Sequence, residues 1–471
     1  MLPDEVLLVI FDFCMDEDQR TKKATEAWQS LVHVCQRWRN VVFDSPRRLN
    51  LRLVATNKTS VDVVEVWPPF SLVVLNTACL TAGVNNIVAA LKRRDRVVRI
   101  ELFGVNRSPL KKLLAAMQEP FPELTDLRLW SDDEMLPNLP DSFLGRSAPR
   151  LVHLELHGIP FPGLPKLLSS ATHLVHLLLN ISDSGYLPPE AMVTALSTLT
   201  NLEELQLVFQ SPQYHPDTAI RRTPRPTRSV LPILTRFRFE GVCEYLDDLV
   251  ARIDAPRVND LNITFFNQIV FDTPQCIQFI RRIPTLNALE HAHIVFGYGV
   301  ARVIFSSQTP GYGSLVVKIS CETLGEQVSS LVQVCTSCFP PLSTTEDLYI
   351  YRGDRAAVQA PFSRSHWQED LEDDIEDTPW LELLRPFTSV KHLYLCKESA
   401  PHIVPALQEL LGGRTTEVLP TLQKIFLQKF RPSGPVQEGI RQFVAMRQVT
   451  THPITVSRWD RSINALHPPS R

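Results

Sequence analysis

A short leucine pattern, L-x-x-L-x-L, recurs through this chain and restricts its fold more than any other feature. It reads Leu124-Leu127-Leu129, Leu151-Leu154-Leu156, Leu174-Leu177-Leu179 and Leu202-Leu205-Leu207. Conservative copies follow at Leu234-Phe237-Phe239, Val258-Leu261-Ile263, Val390-Leu393-Leu395 and Leu422-Ile425-Leu427. The first six begin at 124, 151, 174, 202, 234 and 258, giving intervals of 27, 23, 28, 32 and 24 residues. Each L-x-L suits a short strand with both leucines on one face, and the leading leucine sits on the turn into that strand. One such unit cannot bury its apolar face, whereas a stack of them shares a continuous core. Helical apolar spacing at 162–170, 189–199 and 245–253 supplies the return segments. Right-handed crossovers between parallel strands then predict an α/β solenoid, with short strands on its concave face and helices or irregular returns outside.

The intervals cluster around the period of leucine-rich repeats, about 20–29 residues, with the fourth, 32, longer than the rest. The copies are irregular: most lack the Asn or Cys that usually follows the strand, and some carry glycine there, at Gly104, Gly158 and Gly241. Between 264 and 345 the period is faint, and Leu286 and Leu315 mark the starts of two degenerate copies. Upstream, 49–95 reads as a linker and N-terminal cap: a helix over 60–67 stopped by Pro68-Pro69, an initial strand at 72–75, and a helix over 85–94 leading into a strand at 97–102.

The hydrophobic fraction of 44% and net charge of −3 are those of an ordinary folded chain, without the field of a nucleic-acid or membrane binder. No apolar run approaches the ~20 residues that span a bilayer, and the start lacks the basic region of a signal peptide. Nine scattered cysteines read as reduced thiols. An intracellular protein, cytoplasmic or nuclear, is expected. With 17 glycines and no G-x-G-x-x-G or P-loop motif, nucleotide enzymes are disfavoured.

Residues 2–43 hold more apolar surface than so small a unit can bury by itself. Val6 to Phe11 are six consecutive apolar residues in a helical context, opened by Pro3, Asp4 and Glu5, which suit a helix N-terminus. A second run places Trp28, Leu31, Cys35, Trp38 and Val42 on one helical stripe, and Ser45-Pro46 ends it. LPDEVLLVIF followed by VCQRWRNVVFDSP resembles an F-box, the helical module that docks substrate receptors onto cullin-RING ubiquitin ligases. The repeats resemble the divergent leucine-rich repeats of fungal F-box proteins. The likeness covers the first tenth of the chain and departs from the pattern in a longer, charged spacer over 15–27. It implies that Leu2, Pro3, Val6, Leu7, Ile10, Val34, Cys35 and Trp38 contact the small adaptor subunit and, through it, cullin. The domain plan is F-box 1–48, linker and cap 49–95, leucine-rich-repeat solenoid 96–460 with an acidic insertion about 353–380, and tail 461–471.

Two long connections are candidate client-binding loops. One carries Arg221, Arg222, Arg225 and Arg228; the other runs from Glu369 to Asp377 through Glu372, Asp373 and Asp374. A block of like charge is more often a solvated insertion than a binding loop. Cys335-x-x-Cys338 has no second pair at zinc spacing, and His291-Ala-His293 has no evident third ligand. No metal or cofactor is expected, and no catalytic constellation is found. The expectation is a non-catalytic substrate-recognition subunit of an SCF ubiquitin ligase binding client proteins. The alternative is a leucine-rich interaction scaffold acting outside a ligase.

Overall fold

The computed structural model describes residues 2–14, 28–46, 48–59, 69–76, 83–131, 133, 136–182, 185–210, 228–266, 273–307, 313–336, 340–352, 379–409, 417–428, 434–450 and 453–459. Two compact units divide the chain, Met1–Ser211 and Pro212–Arg471.

The first unit opens with three helices, α1 (Asp4–Cys14), α2 (Trp28–Val32) and α3 (Gln36–Asp44). The stripe expected to run from Trp28 to Val42 is therefore broken. Cys35 leaves the helix with φ −160° and caps α3, its Sγ accepting from the Trp38 amide. Val34 and Cys35 become exposed instead of facing the core. Leu7, Leu8, Phe11, Trp28, Leu31, Val32, Val41 and Val42 form one buried cluster with Leu49, Leu51 and Phe70. The Trp28 indole Nε1 donates to the Arg52 carbonyl at 2.7 Å, fastening the helices to the first strand.

Seven strands follow: β1 (Arg52–Thr56), β2 (Ser71–Leu75), β3 (Val97–Leu102), β4 (Asp126–Trp130), β5 (His153–His157), β6 (His176–Ile181) and β7 (Glu204–Phe209). All pair in parallel with their sequence neighbours. The strand at 72–75 is second, since Arg52–Thr56 lies inside the segment read as linker and cap and already pairs beside it. The helix expected over 60–67 lies outside the described residues. Pairing is in register, so the repeat leucines stack into columns. Ile100, Leu127, Leu154, Leu177 and Leu205 form one, and Leu102, Leu129, Leu156, Leu179 and Leu207 form the next, every member at most 3% exposed.

Return segments cover the columns through α4 (Val84–Leu91), α5 (Arg107–Ala116), α6 (Leu164–Leu168) and α7 (Pro189–Leu196). On the turn into each strand, backbone satisfies backbone. Thr125 N donates to Val98 O, Val152 N to Thr125 O, Val175 N to Val152 O and Glu203 N to Val175 O, at 2.8–2.9 Å. The His153, His176 and Glu204 amides share the Thr125, Val152 and Val175 carbonyls, so each turn's amides find an acceptor in the preceding repeat. Gly158 needs its positive φ of 69°, because a Cβ there would come within 2.4 Å of the Ser131 carbonyl oxygen. Gly241 differs from the expected turn glycine and ends a strand without positive φ.

The second unit holds β8 (Ser229–Val230), β9 (Arg236–Gly241), β10 (Ile253–Asp254), β11 (Asp260–Phe266), β12 (His291–Gly297), β13 (Val300–Ser306), β14 (Ser314–Ser320), β15 (Asp347–Arg352), β16 (His392–Leu395), β17 (Lys424–Gln428) and β18 (Thr455–Trp459). Its helices are α8 (Cys243–Val250), α9 (Pro274–Arg281), α10 (Leu324–Thr336), α11 (Trp380–Leu384), α12 (Ala400–Glu409) and α13 (Pro435–Thr450). β8 and β10 form a separate parallel pair.

The faint 264–345 region departs from the expected all-parallel array. β12 turns back at Tyr298-Gly299 into β13, which pairs antiparallel with both β12 and β14. β14, the last of the three in the chain, pairs in parallel with β11, and β12 pairs in parallel with β15. Leu286 and Leu315 do lead to strands, β12 and β14, but their spatial order is reversed. Beyond the hairpin the columns resume: Ala292, Leu348, Leu393 and Ile425 align, as do Ile294, Ile350, Leu395 and Leu427. Both units thus carry leucine-rich-repeat-like α/β packing. No helix among the described residues is long and apolar enough to cross a membrane.

Leu177→Ala removes a side chain with leucines on both flanks of its column. It is expected to lower unfolding free energy by about 2–5 kcal/mol in chemical denaturation, while exposed Lys166→Ala shifts it far less.

Candidate functional site

On α1, the inward positions Leu7, Leu8 and Phe11 leave Val6, Val9, Ile10 and Phe13 on the opposite stripe, at spacings of three, four and seven residues. These four are 41%, 46%, 38% and 87% exposed, and Leu2 and Val34 add 51% and 59%. Arg37 draws the pieces together. It pairs with Asp4 at 2.6 Å and donates to the Leu2 carbonyl, linking α3 to the start of α1. Exposed as it is, that ion pair orients more than it stabilises.

Of the eight residues carried over from the resemblance, Leu2, Pro3, Val6, Ile10, Val34 and Cys35 are exposed. Leu7 is 4% exposed, and Trp38 is half-buried with its ring edge-on to Phe11 at 4.8 Å. Those two support the surface from inside. Val9 and Phe13 were not singled out from the sequence, although they lie three and seven residues along the stripe from Val6. An unbroken apolar run conceals which side faces inward.

A second kind of surface is formed by the outward side chains of the strands. In the first unit it is a charge ladder. Arg99 Nε lies 2.8 Å from Glu101, whose carboxylate is 3.5 Å from Arg128; Arg128 in turn approaches Glu155 at 3.7 Å. Glu155 also accepts from Trp130 Nε1 at 2.8 Å and lies 3.5 Å from His153. Burial pushes the Glu155 carboxyl up, but the close His153 imidazole, the hydrogen bond from Trp130 and the charge of Arg128 outweigh it, leaving a pKa below the ordinary value. The Trp130 ring stacks on His157 at 5.0 Å.

The second unit's outward rows are aromatic and imidazole-rich. His291 and His392 flank Asp347 in register, their Nδ1 atoms 3.1 and 2.6 Å from its two carboxylate oxygens. Burial pushes the Asp347 carboxyl up, yet the two imidazoles overcome that and hold its pKa down. In the adjacent row His293, Tyr349, Tyr394 and Phe426 stack face to face, with centroid spacings of 4.5, 4.1 and 4.4 Å. Tyr351 and His293 Nδ1 share a hydrogen bond at 3.2 Å. His291 and His293 share one strand face, and each is engaged by unit-two side chains.

Cys335 is buried in α10, and burial pushes its thiol up to about 12. Cys338 lies outside the described residues. Among the described residues no three His, Cys, Asp or Glu side chains are placed to hold a metal ion. Arg221, Arg222, Arg225, Glu372, Asp373 and Asp374 also lie outside the described residues. Arg228 is exposed, and its Nε donates to the Ala251 carbonyl at 3.2 Å.

No known protein family's sequence profile matches this chain, and no curated protein matches it. Among solved structures it is similar to the leucine-rich repeat-containing protein LegL7 from Legionella pneumophila. That likeness is 15% identical, covers 83% of this chain and 97% of that one, and has a TM-score of 0.27.

Asp347→Asn is expected to cost about 1–3 kcal/mol near neutral pH, the scale of hydrogen bonds to a charged group. Because the folded-state pKa is depressed, the contribution is present above the unfolded carboxyl value and fades as pH falls through the folded one. The gap between wild type and variant in denaturant titrations should therefore close in acid, below about pH 4.

Proposed function

We propose that this protein is a non-catalytic receptor subunit of an SCF-type ubiquitin ligase. The observation that carries the reading is the exposed apolar stripe on α1, Val6, Val9, Ile10 and Phe13, beside Leu2 and Val34. A patch of this kind on a small helical module marks a surface meant for a protein partner. The motif halves around it resemble an F-box, so the partner assigned to it is the ligase's small adaptor subunit. The outward strand faces, whose side chains the core does not constrain, are assigned to client proteins. Ubiquitin transfer then needs no chemistry from this chain. Holding a client beside the charged conjugating enzyme raises effective concentration.

The test is co-purification of the tagged full-length chain with adaptor and cullin. Replacing Ile10 and Phe13 by aspartate should weaken adaptor capture by roughly 30-fold or more, the loss of an interface anchor worth about 2 kcal/mol. The circular dichroism spectrum should be unchanged, because both side chains already face solvent. Leu2→Ala with Pro3→Ala should act in the same direction. Recovery of neither adaptor nor cullin would favour an interaction scaffold acting outside a ligase, and adaptor capture indifferent to all four substitutions would place the contact elsewhere.

A further inference from the structure

We propose that the outward face of the second unit contains an oxyanion-binding site at Arg302 and Lys318, fitted to a phosphoryl group. The two residues are direct cross-strand partners in the antiparallel pair β13–β14, and the alternation of both strands sends their side chains outward. Both are half-buried. Like charges directly opposite one another in a sheet repel, and neither has a hydrogen bond or ion pair among the described residues. Other cations of the same unit are engaged. Arg238 lies 3.6 Å from Glu240, Lys391 pairs with Glu346 at 2.6 Å, and Lys424 lies over the Phe426 ring at 4.6 Å. Glu240 is two strands away from Lys318 along the same row, with Thr264 between them.

Burial lowers the pKa of both groups, and the charges of Arg238 and Arg302 lower that of Lys318 further, against smaller opposing effects of Glu240 and Asp260. Two facing cations, partly removed from water and lacking a carboxylate partner, form a site short of an anion. A single carboxylate would neutralise one of them. A phosphate monoester carries about −1.5 to −2 at neutral pH and three acceptor oxygens, enough for the guanidinium fork and the ammonium together. The phosphoryl group can belong to a phosphorylated side chain of a partner or to a free phosphate compound. Only the first source rests on the client-binding role proposed above, and neither depends on adaptor docking.

The experiment uses the full-length chain without adaptor. Inorganic phosphate, pyrophosphate, a phosphoserine peptide and its unphosphorylated twin are compared by calorimetry and thermal melting against chloride at matched ionic strength. Phosphate is expected to raise the melting temperature where chloride does not, and Arg302→Gln or Lys318→Met should reduce anion affinity at least tenfold. Without anion, Lys318→Met should melt no lower than wild type, since it removes a repulsion, and Lys318→Arg should retain binding. A phosphopeptide binding at least tenfold more tightly than both its twin and free phosphate assigns the source to a protein. Equal binding of phosphopeptide and free phosphate assigns it to a free phosphate compound. The proposal is overturned if phosphate and phosphopeptide act no differently from chloride, or if the folded Arg302→Gln chain binds as well as wild type. Failure of adaptor capture would leave these outcomes unchanged.

Discussion

In-register stacking of short parallel strands is the constraint on which everything else in both units depends. A strand of five or six residues offers only two or three inward side chains, too few to stabilise an isolated turn of chain. Register makes them sufficient: Leu154 touches the same column as Leu127 and Leu177, and a slip of one residue would turn every leucine outward. The recurring backbone bonds through Thr125, Val152 and Val175 hold that register on the turn itself.

Once the inward positions are committed, the outward ones are free to vary, and the two units use that freedom differently. In the first, acids and bases alternate across neighbouring strands, so Arg99, Glu101, Arg128 and Glu155 neutralise one another. In the second, one carboxylate serves two imidazoles, aromatic rings occupy each other's faces, and two cations meet without an acid between them. Side chains already satisfied within the sheet have less to gain from a ligand than side chains that are not.

The sequence disclosed the repeats wherever large apolar side chains keep the two inward strand positions and the position before them, as in β4 to β7, β16 and β17. It did not disclose β1, whose RLVAT is buried at four successive positions and shows no alternation. Nor was β13 found, although Val300 to Ser306 alternates well and Tyr298-Gly299 supplies a hairpin turn; the search for a parallel repeat masked a local antiparallel signal. At the N-terminus the apolar excess was legible but its orientation was not. Leu7 went to the core, Trp38 half-buried against it and Phe13 to the surface, because the break at Cys35 decides how α3 meets α1. The Arg302–Lys318 pair was invisible, since 16 residues separate its members and the antiparallel pairing of β13 with β14 that sets them opposite each other was not read from the sequence.

The reversed order of β12 and β14 has a consequence for how the chain is made. During synthesis β12 emerges before β14, yet the native neighbour of β11 is β14, with Ser314 hydrogen-bonded to Asp260 across 54 residues. Until β14 arrives, β11 presents an open edge to a strand whose inward Ala292 and Ile294 match the periodicity of a next repeat. Seating β14 on β11 closes a longer loop than joining strands that follow one another directly, such as β4 and β5, and across proteins such long-range contacts go with slower folding.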